Sequence, residues 1–325
     1  METNRKEAQC LMDLTQKKTR LFWLDMLAML VLPCVSAWYY YGGYAVKLLV
    51  VSVLSAVLCE LFGCLVLKKK ITIGDLSAVV TGLMIALMLP ASAPVWLPIC
   101  ASSFAVIAAK LPFGKVERLP FSPAAAGMAF ITICFPDLVF DYPKVSDALS
   151  GTGVSLAALL SQNTSVRLNS VRAIDILTGN FPGPMGAGCI LVLLGSAIYM
   201  LIRRTKLFVS VAGFLTGGAL VAVCLPRVTS LLPSVVLELC AGTMLFAALF
   251  LITEPGTQPE KPLYRLLFGF IGGVLCMVLR RFGAFEEGAF FAVLLTDALW
   301  PVVERLLNNA QEKRKNKKEL SYRKE

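Results

Sequence analysis

The longest segment between apolar stretches, residues 141–186, carries side chains suited to holding a ligand. It contains the run Asp147-Ala148-Leu149-Ser150-Gly151-Thr152-Gly153-Val154-Ser155 and ends in the glycine-rich stretch 179–186. Small residues and hydroxyls let a ligand approach the backbone closely. A connection of this length in a compact protein is usually functional. The same residues also fit a turn before a short amphipathic helix, so both interpretations stay open.

A second group of candidates consists of carboxylates in or at the ends of apolar stretches: Asp25, Glu60, Asp75, Glu238 and Asp297. Charge is costly in lipid and usually faces partner groups or a cavity. These acids either line a path for an ion or ligand or mark helix ends. The basic pair Arg280 and Arg281 either extends to the membrane interface or faces a buried anion.

The sequence lacks the side-chain combinations that several other kinds of chemistry require. The chain has no histidine, which removes the commonest general base and the commonest neutral metal ligand, and argues against hydrolytic or zinc chemistry. Its ten cysteines are scattered singly, mostly in apolar stretches, without a C-x-x-C pair. We therefore expect them to be small packing residues.

The elements that position these candidates are membrane helices. Of the 325 residues, 57% are apolar and only 16% are charged, whereas a soluble domain carries about 25% charge. Apolar runs bounded by charge, Pro or Gly predict an all-α integral membrane protein with ten spans. They lie at about 21–41, 44–67, 74–90, 94–110, 121–140, 187–202, 207–225, 233–252, 263–279 and 286–307.

The distribution of Lys and Arg predicts the orientation. With the N-terminus inside, 24 of the 31 basic residues fall on inner segments and seven on outer ones, as the positive-inside rule requires. Both termini are then cytoplasmic, and the basic tail lies at anionic lipid, so the net charge of +10 needs no nucleic-acid partner. The predicted regions are an inner segment 1–20, a first half 21–140, an outer loop 141–186, a second half 187–307 and a tail 308–325.

Two glycine pairs predict close helix packing. Gly213 and Gly217 lie four residues apart in one span, and Gly269 and Gly273 do so in another. In lipid, this spacing mainly lets two helix backbones approach each other.

Five motifs in order resemble the RnfD and NqrB family of membrane subunits of ion-translocating, flavin-containing oxidoreductases, with RnfD the closer. Residues 74–90 resemble D-G-S-A-x-x-T-G-L-L-L-A-L-x-L-P, and residues 110–124 resemble K-x-x-F-G-G-x-G-x-N-x-F-N-P-A. The other three are Gly179-Asn180-Phe181-Pro182-Gly183 for G-N-x-P-G, Thr253-Glu254-Pro255 with residues 256–259 for T-D-P-V-T-S-P, and residues 280–288 for R-x-x-G-G-Y-x-E-G. The resemblance runs over nearly the whole chain.

The resemblance implies two five-helix repeats, a fold like that of urea and ammonium channels, and an FMN. In the family, this FMN is joined by a phosphodiester to the Thr of D-x-x-S-G-A-T in an outer loop. Asp147, Ser150 and Gly151 match that motif, while Thr152 stands in the place of Ala and Gly153 in the place of the acceptor Thr. Thr152 or Ser155 is then the candidate acceptor hydroxyl. Further departures are Leu119 and Ser122 for two Asn residues, Lys115 for Gly and Glu254 for Asp.

The function predicted from this resemblance is that of a subunit of an Rnf-type translocase in a prokaryotic inner membrane, not of a free-standing enzyme. It would carry electrons through FMN between ferredoxin and NAD, coupled to Na⁺ or H⁺ movement. Other membrane and iron-sulfur subunits, a flavin transferase and membrane lipid are the expected partners. Asp75, Glu254 and Asp297 are candidates for the ion or flavin environment. A small-solute channel and a flavin-less scaffold subunit are the alternatives.

Overall fold

The computed structural model describes residues 2–68, 76–113, 119–143, 155, 173–179, 181–226, 231–283, 285 and 287–322. Within these ranges the chain forms helices and connecting turns, with no β-strand. The predicted all-α fold is therefore confirmed for the described part of the chain.

The first half begins with a long helix, α1. It is followed by α2, by α3 with a π-helical end, and by two helices separated at Phe135. Their bounds are α1 Glu2–Val66, α2 Ser77–Met88, α3 Trp96–Phe104 with its π-helical end Ala105–Lys110, α4 Pro123–Cys134 and α5 Pro136–Val139.

The second half follows a short helix in the long loop and contains one interrupted helix. The bounds are α6 Ala173–Thr178, α7 Ile190–Arg203, α8 Thr205–Cys224, α9 Leu231–Cys240, α10 Met244–Phe246 with its π-helical end Ala247–Leu251, α11 Pro262–Phe282 and α12 Ala289–Tyr322.

By length and composition, three helices of the described chain can cross a membrane: Thr19–Val66, Thr205–Cys224 and Pro262–Phe282. A fourth span results if Ser234–Cys240 and Met244–Leu251, which meet at 67°, count as one. Ser77–Met88, Trp96–Lys110, Pro123–Cys134 and Ile190–Arg203 are shorter apolar helices. A membrane protein with several apolar helices is thus confirmed, while the count of ten spans and the two-repeat layout stay predictions.

The helix α1 contains a kink at Gly42, where the predicted first and second spans meet. Gly42 has φ 66° and ψ −150°, a conformation outside the helical region, and glycine adopts a positive φ without steric cost. The 48 apolar residues from Thr19 to Val66 would measure about 72 Å as one straight helix. Because the hydrocarbon core is about 30 Å thick, this length suits two spans better than one.

One end of the bundle is built from the kink and three connections. Near the kink, the Tyr40 hydroxyl donates to Thr178 O at 2.5 Å, and the Tyr44 hydroxyl donates to Ala93 O at 2.9 Å. The Ser92 hydroxyl donates to Asp141 O. These contacts gather the kink, the connection after α2, the chain after α5 and α6 at the same end, which the charge distribution places outside.

The two glycine pairs lie in the interface between α8 and α11, as predicted. An added Cβ at Gly213 or Gly217 would lie 2.3 Å from a carbonyl oxygen of α11. An added Cβ at Gly269 or Gly273 would lie 2.0 or 1.9 Å from a carbonyl oxygen of α8. The two backbones are thus in direct contact, which fixes the geometry of the second half.

Candidate functional site

A buried polar cluster forms where the irregular ends of three elements meet the interior of α12. Lys110 ends the π-helical part of α3, and Ser122 precedes α4. Glu254 follows the π-helical part of α10, and Asp297 lies within α12. Such ends leave backbone and side-chain polar groups free to meet inside an apolar bundle.

Lys110 is the cation of this cluster. Its side chain is 5% exposed, and its ammonium group lies 2.7 Å from Glu60 Oε1 and donates to Ser77 Oγ at 2.7 Å. Glu60 comes from the second part of α1 and Ser77 from the first turn of α2. The ion pair therefore joins three elements of the first half, and its close geometry offsets the cost of burying both charges.

Asp297 joins the second half to the first. Its Oδ2 accepts a hydrogen bond from the Ser122 backbone N–H at 2.9 Å. Ser122 is also the N-cap of α4, and its hydroxyl accepts from the Ala125 N–H at 3.3 Å. The serine thus provides the capping oxygen that the family's Asn would provide at this position. Asp297 itself is 4% exposed.

Glu254 is the most isolated carboxylate of the cluster. It is 1% exposed, and no described group donates to either oxygen with good geometry, although the Ser122 hydroxyl lies beside the carboxylate. The Ser122 hydroxyl and the Lys110 ammonium act on Glu254, and the Thr257 side chain acts on Asp297. None of the described groups makes a hydrogen bond of good geometry to Glu254 or to Asp297 Oδ1.

Among the residues that the structure describes, the charges of the cluster do not balance. Glu60, Glu254 and Asp297 supply three carboxylates, whereas Lys110 supplies one ammonium group and already binds Glu60. A buried carboxylate without a counter-charge is strongly disfavoured. Glu254 and Asp297 can therefore be accommodated by binding a proton or a small cation, which is the chemistry that this cluster can perform.

A second buried charge cluster lies where α9 ends. Arg280 of α11 donates to the carbonyl oxygens of Glu238 at 2.9 Å and Ala241 at 2.6 Å, and its guanidinium lies 3.4 Å from Glu287 Oε1. Glu287 Oε2 accepts from the N–H of Thr243 at 3.1 Å and from its hydroxyl at 2.7 Å. Of the two predicted fates, Arg280 thus faces buried anions. These contacts secure the break between α9 and α10.

The other members of the predicted basic and acidic sets lie nearer the bundle ends. Arg281 donates to Leu225 O at 2.7 Å and so satisfies a terminal carbonyl of α8. Asp25 accepts from the Arg204 guanidinium at 2.7 Å and lies 3.5 Å from Arg203. Asp25 therefore holds α1 against the start of α8 and has no evident place in an ion path.

Most of the predicted flavin residues lie outside the described ranges. These are Asp147, Ser150, Gly151 and Thr152, and the candidate ion residue Asp75 lies outside them as well. Ser155 is described, and its side chain is 3% exposed. The roles of all five, and that of Ser155, stay predictions.

The end of the long loop packs into the bundle. The N–H groups of Met185 and Gly186 donate to Leu89 O at 3.1 Å and Leu87 O at 2.7 Å, at the end of α2. Gly179 has φ 81°, and an added Cβ would lie 2.7 Å from Cys189 N. The glycine-rich end of the loop thus packs against the end of α2 and the start of α7. Its turn residues alone do not indicate these contacts.

Sequence reasoning identifies Glu254 and Asp297 but not Lys110, Ser77 or Ser122 as their neighbours. Lys110 follows an apolar run directly, and this position predicts an inner-loop charge. A usable signal is present, since Pro112 and Gly114 after Lys110 mark an abrupt helix end of the kind that also follows Glu254. Which ends meet cannot be read from those signals.

The comparison with known families covers nearly all of this architecture. The profile of the NQR2, RnfD, RnfE family matches residues 13–313. The chain belongs to this family. Both halves and both charge clusters of this NQR2/RnfD/RnfE-family chain lie inside the matched range, so the match extends well beyond any single motif.

Curated relatives narrow the likeness to the RnfD type. The D subunit of the Na(+)-translocating ferredoxin:NAD(+) oxidoreductase complex of Acetobacterium woodii is 27% identical over 278 residues, covering 85% of each chain. The D subunit of the ion-translocating oxidoreductase complex of Escherichia coli is 28% identical over 328 residues, covering 89% of this chain and 92% of the relative. The resemblance to RnfD is thereby confirmed.

Proposed function

We propose that this chain is the D subunit of an Rnf-type ion-translocating oxidoreductase in a prokaryotic inner membrane. In this role it carries electrons through FMN, between ferredoxin and NAD, while the complex moves Na⁺ or H⁺. The names of the relatives from Acetobacterium woodii and Escherichia coli support membership of such a complex. Partner membrane and iron-sulfur subunits and a flavin transferase complete the system.

The observation that carries the ion-coupling part is the pair of unbalanced buried carboxylates. Glu254 and Asp297 are nearly inaccessible, and three of their oxygens have no hydrogen bond of good geometry to the part of the chain that the structure describes. Their burial is costly unless a proton or cation joins them. Glu254 lies at a helix interruption and close enough to Lys110 to interact with its charge, and Asp297 of the continuous helix α12 contacts the start of α4. Interrupted helices are typical of ion sites in transporters. We therefore assign the coupling ion to this cluster.

FMN supplies the electron-transfer chemistry that the side chains lack. Thr152 is the preferred acceptor of the phosphodiester, with Asp147, Ser150 and Gly151 as the matching motif residues. Ser155 is less suitable, because its side chain is 3% exposed and a transferase needs an accessible hydroxyl. The chain's own part is to hold the ring system in place and to exclude water from it.

The attachment is tested by expressing the chain together with a flavin transferase. We expect a fluorescent band on a denaturing gel, a mass increase that matches FMN, and loss of both in the Thr152→Ala variant. Ser155→Ala should keep both signals and serves as the matched control. Absence of flavin from the wild-type chain in the presence of an active transferase would contradict the electron-relay role.

The substitution pattern of the loop favours one alternative. Gly153 stands where the family's acceptor Thr belongs, so a flavin-less scaffold subunit of the same complex is the second candidate. The gel experiment separates the two, because a scaffold subunit remains unlabelled while the complex still assembles. Flux of a small neutral solute into proteoliposomes holding the chain alone would instead identify a channel.

A further inference from the structure

An open apolar groove lies at the bundle end from which the long loop leaves. Its volume is about 500 Å³, within the range of about 300 to 1,000 Å³ that is typical of small-molecule sites. The C-terminal end of α11 and the start of α12 form one side, and Ile133 of α4 lies opposite. The lining residues are Ile133, Leu279, Gly283, Phe285, Glu287, Gly288, Phe291, Leu294 and Leu295.

Two nearly parallel aromatic rings form part of the groove. Phe285 and Phe291 both line it, and their rings are nearly parallel, with centroids 5.6 Å apart and planes 16° apart. Both rings are only half-buried. Parallel, partly exposed ring faces suit a further flat aromatic system in offset stacking.

The groove is continuous with the base of the loop. The Phe140 ring, just before residue 141, lies 6.2 Å from the Phe285 ring at an interplanar angle of 30°. The chain that carries the predicted attachment residues therefore starts beside the groove.

The groove also has one charged lining residue in a fixed position. Among the described lining residues, Glu287 alone has an ionisable side chain. Its carboxylate is held by Arg280 and Thr243. Each carboxylate oxygen has two acceptor positions, so Glu287 retains capacity to accept a hydrogen bond from the imide N–H of a flavin ring.

We infer that this groove is the seat of the isoalloxazine ring of the flavin tethered to the 141–186 loop. The inference rests on the proposed function, since it assumes that a flavin is attached. The groove excludes water from one face of the ring system, and Phe285 and Phe291 stack against it. Glu287 and its partner Arg280 set the electrostatic environment.

A tryptophan placed in the groove tests this assignment. Indole in contact with a flavin quenches its fluorescence by electron transfer, so Leu295→Trp should lower the fluorescence of the native protein at least twofold. Leu299→Trp is the matched control, because Leu299 lies one turn further along α12, is equally exposed, 45% against 44%, and does not line the groove. Ile133→Trp, on the opposite side, repeats the test if Leu295→Trp fails to fold.

The denaturing gel separates failure of this inference from failure of the proposed function. Equal bands from wild type and both variants show that attachment is intact, and selective quenching by Leu295→Trp or Ile133→Trp then supports the groove. Equal native fluorescence of groove and control variants, with equal bands, would overturn the groove and leave the attached flavin standing. That result is expected if a lipid chain or a partner helix fills the groove. No band from any chain would overturn the proposed function itself.

Discussion

At the level of single residues, Glu254 and Asp297 differ from Glu60 and Asp25 in what surrounds their oxygens. Glu60 has the ammonium group of Lys110 at 2.7 Å, and Asp25 has the Arg204 guanidinium at the same distance. Glu254 has only the Ser122 hydroxyl beside it and no donor of good geometry among the described residues. Asp297 has the Ser122 N–H at Oδ2 and the Thr257 side chain nearby. The first two acids are structural ion pairs, whereas the last two are suited to reversible binding of a cation.

Amide substitutions test this distinction. Glu254→Gln and Asp297→Asn remove the charge but keep the shape, so we expect ion uptake to fall at least tenfold while flavin content is unchanged. Folding should be preserved, because replacing an unpaired buried charge with an amide lowers the cost of burial. The measurement is ²²Na⁺ uptake or acidification by inverted vesicles containing the assembled complex. Glu260→Gln, at an exposed carboxylate six residues further on, should transport normally.

Leu76 has a strained backbone conformation. It has φ 59° at the start of α2, in the left-handed region, where the family motif has Gly. A residue with a side chain pays about 1 to 2 kcal/mol there. Its side chain also packs partly against the core. Any substitution therefore loses this packing, and the effect of glycine on stability must be compared with that of alanine at the same position.

The pair Leu76→Gly and Leu76→Ala isolates the backbone term. Both variants lose the leucine packing, but only glycine relieves the left-handed strain. We expect Leu76→Gly to be more stable than Leu76→Ala by about 1 kcal/mol, as measured by unfolding in detergent. Equal stability, or a more stable alanine variant, would show that residue 76 is not held at a positive φ.

At the level of elements, the helix interruptions limit what the sequence can predict. Apolar runs predict apolar helices, because lipid selects for composition over about 20 residues, but they do not predict where those helices are interrupted. The run 233–252 predicts one helix, yet it breaks at Gly242, which has φ 60°. Arg280 and Glu287 secure that break across sequence separations of 39 and 44 residues, and no local pattern reports contacts at that distance. For the same reason, Glu254 and Asp297 are predicted as acids but not as neighbours of Lys110.

The contact between α8 and α11 gives a prediction at this scale. An added Cβ at Gly273 would lie 1.9 Å from Phe214 O and 2.9 Å from Gly218 N, so Gly273→Ala must separate the two backbones. We expect a loss of about 1 to 3 kcal/mol, as for other overpacked contacts, seen as a lower unfolding temperature in detergent. Gly43→Ala is the control, since nothing lies within 4 Å of its added Cβ. Equal losses in the two variants would rule out the glycine contact as the cause.

At the level of the whole molecule, aromatic residues mark the same end that the charge distribution places outside. Trp38, Tyr39 and Tyr44 flank the kink of α1, and all three are exposed. Trp96 and Phe135 are exposed as well, with ring centroids 4.9 Å apart. Such residues are enriched at membrane interfaces. The proposed flavin groove lies at this end too, through the contact between Phe140 and Phe285.

At the opposite end of the bundle, α12 extends beyond the length of a membrane span. The helix α12 continues without a break for 34 residues to Tyr322, about 51 Å at 1.5 Å per residue, which exceeds the hydrocarbon thickness of about 30 Å. The predicted span 286–307 and the start of the predicted tail are thus one helix. The basic residues after Arg305 are carried away from the membrane on a continuous element.

Protease sites inserted after residue 160 and after residue 312 test the resulting layout. Protease added outside spheroplasts should cut only at the first site, because the positive-inside distribution keeps the basic tail in the cytoplasm. In inverted vesicles it should cut only at the second site, and permeabilised membranes should expose both. Cleavage after residue 160 only in inverted vesicles would reverse the orientation. The flavin would then lie on the cytoplasmic face, and electron transfer on the outer side would have to be abandoned even if the flavin itself were attached.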